Sequence, residues 1–419
     1  MNEPAPPRGP FALWSGIPLY LRILAAMLLG VPTGLLLQER AEHLGIVSTL
    51  VLQLLGVLAP PLILVAVVHV LMTTHIAGRT ALRLGGLLLL NTCVAIFIGL
   101  GVANVLRPGE WTEPISLTDA KRVDREVNPV NLLIDNVPKS ILGPLGDRPN
   151  VIGVIIVALA FGIALRRVQR RDAILHVVEA LYQALVVILH WVIDVVPFGV
   201  FAIVAKVVGT VGFQPFVALG GFVVAVLVAL LLQTGWYLLR IRFGSWARPL
   251  DVLRGMRDAL TMAFSTASST ATMPLTYACL TEKVRLREKS ASLGGLVGAN
   301  FNNDGTALYE AMAALFVAQL IGVELTLGEQ VLVVLTSIFA SVGAAGIPEA
   351  GLVTMTLVFT AVKLPTEYIA LLVTVDWFLD RCRTTINVLG DVNVSCLLDG
   401  RVPPMPVELS PQPPPAAVE

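Results

Sequence analysis

Apolar residues along this chain fall into blocks of about twenty, the length at which a helix crosses a bilayer. Such blocks predict spans at residues 18–37, 45–72, 84–105, 151–165, 174–208 and 216–239, the second interrupted by Pro60-Pro61. Residues 107–150 are polar, mixed in charge and proline-containing, long for a connection and with room for an interfacial helix. After Arg254 the pattern changes. Residues 259–280 read as two short arms around FSTASSTATMP, and residues 331–362 as two more around GAAGIPEAG. Between them a helix-length run, residues 292–321, is broken by Asn300, Asn302, Asn303, Asp304 and Gly305. Arms of about ten to fourteen residues suit re-entrant hairpins better than spanning helices, and paired broken segments mark a binding site near the bilayer midplane.

The last apolar run, residues 368–398, carries Asp376, Asp380, Arg381, Arg383 and Asp391. At 100° per residue, Asp376, Asp380, Arg383, Thr384, Asn387 and Asp391 fall within about 60° of one line. Each charge at the bilayer centre costs roughly 2.5–3.5 kcal/mol, so four on one face would cost on the order of 10. The stripe must face protein or a watery cavity that holds something charged. Pairing of Asp380 with Arg383 (i, i+3) is the simpler alternative, but it leaves Asn387 and Asp391 without a purpose.

Composition agrees with the pattern. The chain is 56% hydrophobic and 14% charged, where soluble domains carry about 25% charged residues. This is an all-α integral membrane protein, its runs too long and too uniform for a barrel. With 29 basic and 29 acidic residues nothing points to nucleic acid. Cys93, Cys279, Cys382 and Cys396 are scattered in or beside apolar segments, as small buried residues and not a disulfide framework or metal site. Arg79/Arg83, Arg166/Arg167/Arg170/Arg171 and Arg240/Arg242/Arg248 follow even-numbered spans, which places those connections and the N-terminus in the cytoplasm. The opening MNEPAPPRGP is no cleavable signal, and the proline-rich tail 399–419 reads as disordered.

The segments STASSTATMP, GANFNNDGTALYEA, SVGAAGIPEAGLVTM and VDWFLDRCRTTINVLGD resemble, in order, four signature regions of the dicarboxylate/amino acid:cation symporters, the family that includes the excitatory amino acid transporters. The strong likeness covers residues 260–398, and a weaker one most of the rest. The resemblance implies eight transmembrane helices plus two re-entrant hairpins, an inverted-repeat, elevator-type transporter and a homotrimer in the plasma membrane. A cytoplasmic segment, residues 1–16, would precede a scaffold made of residues 17–83 and 107–208. Residues 84–106 and 216–398 would form the moving transport domain. The absence of an N-x-S/T acceptor in the long outer segment favours a bacterial inner membrane.

An acidic amino acid offers an ammonium and two carboxylates. Asp380 suits the ammonium, and Arg383 presents a planar fork to a carboxylate. Backbone N–H groups at the Ser268-Ser269 tip suit the α-carboxylate as helix N-termini suit anions, while Thr306, Thr384 and Asn387 add neutral contacts. These match the family's substrate positions, to which the resemblance adds Ile347 and Gly351. Relatives that carry neutral amino acids lack the arginine, and C4-dicarboxylate carriers lack the aspartate. Having both favours glutamate or aspartate. The alternatives are a C4-dicarboxylate:cation symporter and a channel or sensor on the same fold. No nucleophile–base pair or metal cluster outside the stripe suggests an enzyme, and no cofactor is expected beyond the coupling ions Na+ and/or H+.

By resemblance, a first sodium site maps onto Asp391 with the carbonyls of Gly298, Asn302 and Asn387. A second maps onto carbonyls of Ser341, Val342 and Ala344, and a third onto Asp304 with Asn91 and Thr92. Here the chain departs from the family. The usual NMDGT reads NNDGT, Asn300 replaces a threonine, and Leu88 stands for a tyrosine of the third site. Glu310 stands where proton-coupled members carry glutamate; a carboxyl that loses solvation in its charged form is suited to carry a proton. A permanently protonated or paired Glu310 is the alternative. Arg381 points off the stripe, toward a nearby carboxylate as partner. His69 and His190 read as hydrogen-bonded within the scaffold, Asp194 as paired on a neighbouring helix, and Glu349 has no assigned purpose.

Overall fold

The computed structural model describes residues 17–73, 78–114, 138, 140–146, 151–169, 171–343 and 350–403. The proposed interfacial helix, the N-terminal segment, the tail beyond residue 403 and the tip residues Ala344, Ile347 and Glu349 lie outside them. Among the described residues every regular element is helical. We number the α-helices α1 Leu19–Leu37, α2 Gly45–Thr73, α3 Gly78–Leu106, α4 Val151–Leu165, α5 Arg171–Thr210 and α6 Gln214–Gly244. There follow α7 Pro249–Thr266, α8 Ser269–Ala278, α9 Glu288–Ser292, α10 Asp304–Leu320, α11 Leu327–Gly343, α12 Ala350–Ala361 and α13 Ile369–Asp399. Leu19–Thr73, Leu82–Trp111, Arg171–Thr210 and Gln214–Gly244 are long and apolar enough to cross a membrane, while Ile156–Leu165, Leu327–Ser341 and Gly351–Ala361 are shorter apolar helices.

One sequence expectation is corrected here. Helix α2 runs unbroken through Pro60 and Pro61. Two lost N–H donors do not stop a helix whose neighbours α4 and α5 pack along it.

The helices pack in two groups. Helix α5 packs on α1 and α2, and α2 packs on α4; α1 approaches α5 so closely that a Cβ on Gly34 would lie 2.5 Å from the Ala205 carbonyl. Buried Arg22 on α1 meets Asp194 on α5 at 2.7 Å, which supplies the helix-to-helix partner that Asp194 needs. In the same group His190 Nδ1 lies 2.7 Å from the Val186 carbonyl and His69 stacks on Tyr182. The second group is α3, α6, α10, α13 and the paired arms α7/α8 and α11/α12, with α10 buried along nearly its whole length. The two groups touch mainly where α11 and α12 lie on α2 and where α13 passes α5 and α1.

Candidate functional site

Helix α10 begins at a break. The chain winds as a π turn over Leu293–Val297 and a 3-10 turn over Gly298–Asn300, then leaves the helix until Asp304. That irregularity frees backbone groups inside the protein, where they need partners. Helix α13 supplies them. Asn387 Oδ1 accepts from the Gly305 N–H at 2.8 Å, and its Nδ2 lies 3.4 Å from both Asn303 Oδ1 and Thr306 Oγ1. The approach requires glycine, since a Cβ on Gly305 would lie 2.8 Å from the Arg383 carbonyl.

One turn before Asn387, Arg383 is 0% exposed. Its Nη2 donates to Asp380 Oδ1 at 2.8 Å and lies 3.0 Å from Asp376 Oδ1, while the guanidinium sits 4.0 Å over the Tyr309 ring. Nε and Nη1 have no hydrogen-bond partner among the described residues. The second hairpin closes on this group: a Cβ on Gly351 would lie 3.3 Å from Nη2 and 3.4 Å from Thr306 Cγ2. Sequence reasoning placed Asp376 on the stripe without a role. Its spacing of seven from Arg383, two helical turns on one face, was the available signal.

On the other side, Asp380 lines a cavity of about 390 Å3 between α1, α5 and the tip of the α7/α8 hairpin. Ser268 caps α8, its Oγ accepting from the Ala271 N–H at 3.1 Å, so one tip N–H is already satisfied; the neighbouring Ser269 Oγ is buried and without a hydrogen bond among the described residues. Arg381 lines this cavity, and among the described residues its hydrogen-bond partners are carbonyls and not a carboxylate. It donates to the Phe264 and Ser265 carbonyls at 3.0 and 2.5 Å. Those oxygens belong to the last turn of α7, where carbonyls lack intrahelical donors and a cation is favoured.

Glu310 is 0% exposed; the Thr354 hydroxyl donates to its Oε1, and Oε2 has no hydrogen bond among the described residues. The buried Thr384 lies on the same face of α13.

The residues named for cations gather in three places. Asp391 Oδ1 accepts from Asn302 Nδ2 at 3.0 Å, and that amide also donates to the Asn387 carbonyl at 3.0 Å. Gly298 adjoins them, its Cβ position 3.6 Å from Asp391 Oδ1. Asp391 Oδ2 and Asn302 Oδ1 are buried with no hydrogen-bond donor among the described residues. At the second place Asn303 Nδ2 donates to the Ser341 carbonyl at 2.8 Å; Val342 follows in the last turn of α11, and its side chain lies outside the described residues. At the third, Thr92 and Tyr237 both donate to Asp304, and Arg240 donates to Asn91. Tyr237 and Arg240 were not anticipated as site residues: Arg240 read as an orientation charge after a span, and nothing local shows that it turns inward.

With this geometry in place the chain compares with known proteins as follows. The sequence pattern of the sodium:dicarboxylate symporter family matches residues 19–401. Excitatory amino acid transporter 3 of Mus musculus is 30% identical over 435 residues, covering 89% of this chain and 83% of the relative. The Homo sapiens transporter of the same name is 30% identical over 434 residues, 88% and 83% of the two chains. Excitatory amino acid transporter 2 of Homo sapiens is 41% identical over 252 residues, 58% of this chain and 43% of the relative.

Proposed function

This chain belongs to the sodium:dicarboxylate symporter family, and we propose that it carries an acidic amino acid, glutamate or aspartate, across a membrane together with Na+ and/or H+. The observation that carries this reading is Arg383, a fully buried guanidinium held by Asp380 and Asp376 with two nitrogens uncommitted.

A buried charge that loses its partner costs about 3–5 kcal/mol. An acidic amino acid avoids that cost by exchanging partners. Its distal carboxylate takes the Arg383 fork, and its ammonium takes Asp380, so each charge released from the internal pair is met by one from the substrate. A plain C4-dicarboxylate would leave Asp380 unmet, which favours the amino acid. The Ser268-Ser269 tip takes the α-carboxylate. Thr306, Thr384 and Asn387 add neutral contacts, Gly351 faces the guanidinium from the second hairpin, and Ile347 joins the set by family resemblance alone.

For the coupling ions, Asp391 with Asn302, Asn387 and Gly298 provides a sodium site, supported by two buried oxygens that lack donors. Glu310 carries the proton, supported by its complete burial and idle Oε2. Transport follows an elevator motion within a homotrimer of eight spans and two hairpins in the bacterial inner membrane, with both termini cytoplasmic. The second helix group and its hairpins slide against the first, a reading supported by the narrow set of contacts between the two groups.

Labelled glutamate and aspartate flux in proteoliposomes, with Na+ and H+ gradients imposed separately, tests the proposal. Concentrative uptake is expected. Arg383→Ser should lower acidic amino acid uptake by at least about 100-fold, on the order of 3 kcal/mol; unchanged uptake would refute the assignment. Glu310→Gln should flatten the dependence of uptake on pH, and a profile identical to wild type removes Glu310 from the mechanism.

A further inference from the structure

Asp304 has the burial of a cation ligand, yet its surroundings are already satisfied. Both carboxylate oxygens accept hydroxyl protons, one from Thr92 on α3 at 2.7 Å and the other from Tyr237 on α6. The residue before Thr92, Asn91, is 0% exposed and turns its Oδ1 to Arg240, whose Nη1 donates to it. Tyr237 and Arg240 stand three residues apart, on one face of α6. That face delivers a hydroxyl to the carboxylate and a guanidinium to the asparagine beside it. Arg240 is half-buried and stacks over Trp236 at 5.8 Å; it makes no ion-pair contact with Asp304 among the described residues, but it binds the Asn91 next to one of the carboxylate's donors and stands three residues from the other.

These contacts leave a sodium ion poorly served at this place. A hard cation needs several oxygens whose lone pairs face it. The Asn91 oxygen faces an N–H donor, both Asp304 oxygens face hydroxyl hydrogens, and a fixed positive charge stands alongside. The Asp391 cluster differs in its oxygens: Asp391 Oδ2 and Asn302 Oδ1 are buried and accept no hydrogen bond among the described residues.

We infer that Arg240 is a tethered cation, its guanidinium balancing Asp304 in place of a mobile sodium ion, so that the carrier moves no Na+ at Asp304. The inference rests on the reading of the chain as a cation-coupled carrier and narrows it by assigning which buried carboxylate recruits an ion from solution. It also names a residue, Arg240, that sets the coupling ratio without touching substrate.

The test removes the tethered charge. Arg240→Gln keeps an amide donor for Asn91 and loses the positive charge. In the reconstituted full chain this variant should require one more sodium ion per substrate, read as the sodium gradient that just balances an opposing substrate gradient. Thermal unfolding of the purified, substrate-free variant should show a second, added dependence on Na+ concentration. Arg240→Lys, which keeps the charge, should match wild type in both. Sodium behaviour of Arg240→Gln identical to wild type would overturn the inference, as would the same gain in both variants. Should Arg240→Gln fail to fold, equilibrium binding of radiolabelled Na+ to the purified wild-type chain and to Asp304→Asn decides the matter. The two should bind the same number of Na+ ions, and one ion fewer in Asp304→Asn overturns the inference. Ion binding in the thermal and radiolabel experiments is read without transport. A chain that moved no amino acid would therefore fail the carrier reading while this inference was still decided.

Discussion

Asp391 and Asp304 are two fully buried carboxylates at the same break in the same helix group, and they are treated differently. Asp304 has donors on both oxygens, and the Arg240 guanidinium is bound to the Asn91 beside one of those donors. Asp391 has one donor, from Asn302, and an oxygen with none among the described residues. A charge taken out of water must be balanced by something. On the inference above, the balance at Asp304 is Arg240, covalently attached to the protein. On the proposed reading of Asp391 as a sodium ligand, its balance comes from solution, which makes the charge of that site conditional. Only a conditional charge can couple the movement of one solute to another. Residue type alone therefore does not make an ion site; what its neighbours have left unsatisfied does.

Substitution should expose this difference. The largest effect is expected from Asp391→Asn, which removes the charge that needs a mobile partner. Sodium-driven uptake should fall by about 100-fold or more, and the stabilisation of the protein by Na+ in thermal unfolding should vanish. Sodium stabilisation that survives this change would break the contrast.

A smaller and different effect is expected from Asp304→Asn. That change strands Arg240 without its counter-charge and replaces one acceptor oxygen by a donor, a loss of about 1–3 kcal/mol of stability. The response to Na+ should persist, because this carboxylate does not recruit the ion. Loss of that response, with folding intact, would make the two sites equivalent.

The smallest effect belongs to an ion pair in water, Asp258 with Lys283 at 2.5 Å on the polar base of the first hairpin. The hydrogen bond and charge of Lys283 hold the Asp258 carboxyl below its ordinary range, and the same bond holds the ammonium above its own. The pair adds stability between those limits. It is lost as pH falls through the lowered carboxyl value, or rises through the raised ammonium value. Solvent and salt screen it. Lys283→Met should leave the thermal midpoint nearly unchanged at about 0.15 M salt, with a small loss only at low salt. A large loss at physiological salt would show that exposure does not separate this pair from the buried ones.

The elements themselves were legible without coordinates. Apolar runs near twenty residues, short arms around polar tips and the Asn-rich break are local patterns, and most helices begin and end within about five residues of them, although α3 starts at Gly78 and α7 at Pro249, well before the expected 84 and 259. The face of α13 was equally plain, because 100° per residue fixes which side chains share a side. It brings Asp376, Asp380 and Arg383 together. Which of those groups pair was not legible. The stripe allowed Arg383 to face either the substrate or its own aspartates, and packing of Gly351 and Tyr309 against the guanidinium decides its surroundings.

Arg240 and Arg381 mark the limit. Their partners lie 149 and more than 100 residues away in the chain, on helices brought alongside by packing. Periodicity carries no information across such distances, since it describes one helix at a time. An arginine near a helix end follows the same local rule whether it reaches for solvent, for a carbonyl or for a buried asparagine. The amino-acid sequence alone determined the helices, their broken segments and the inventory of buried charge. The tertiary structure decided which charges are satisfied from within, because a counter-charge acts through space and the fold sets which groups are near.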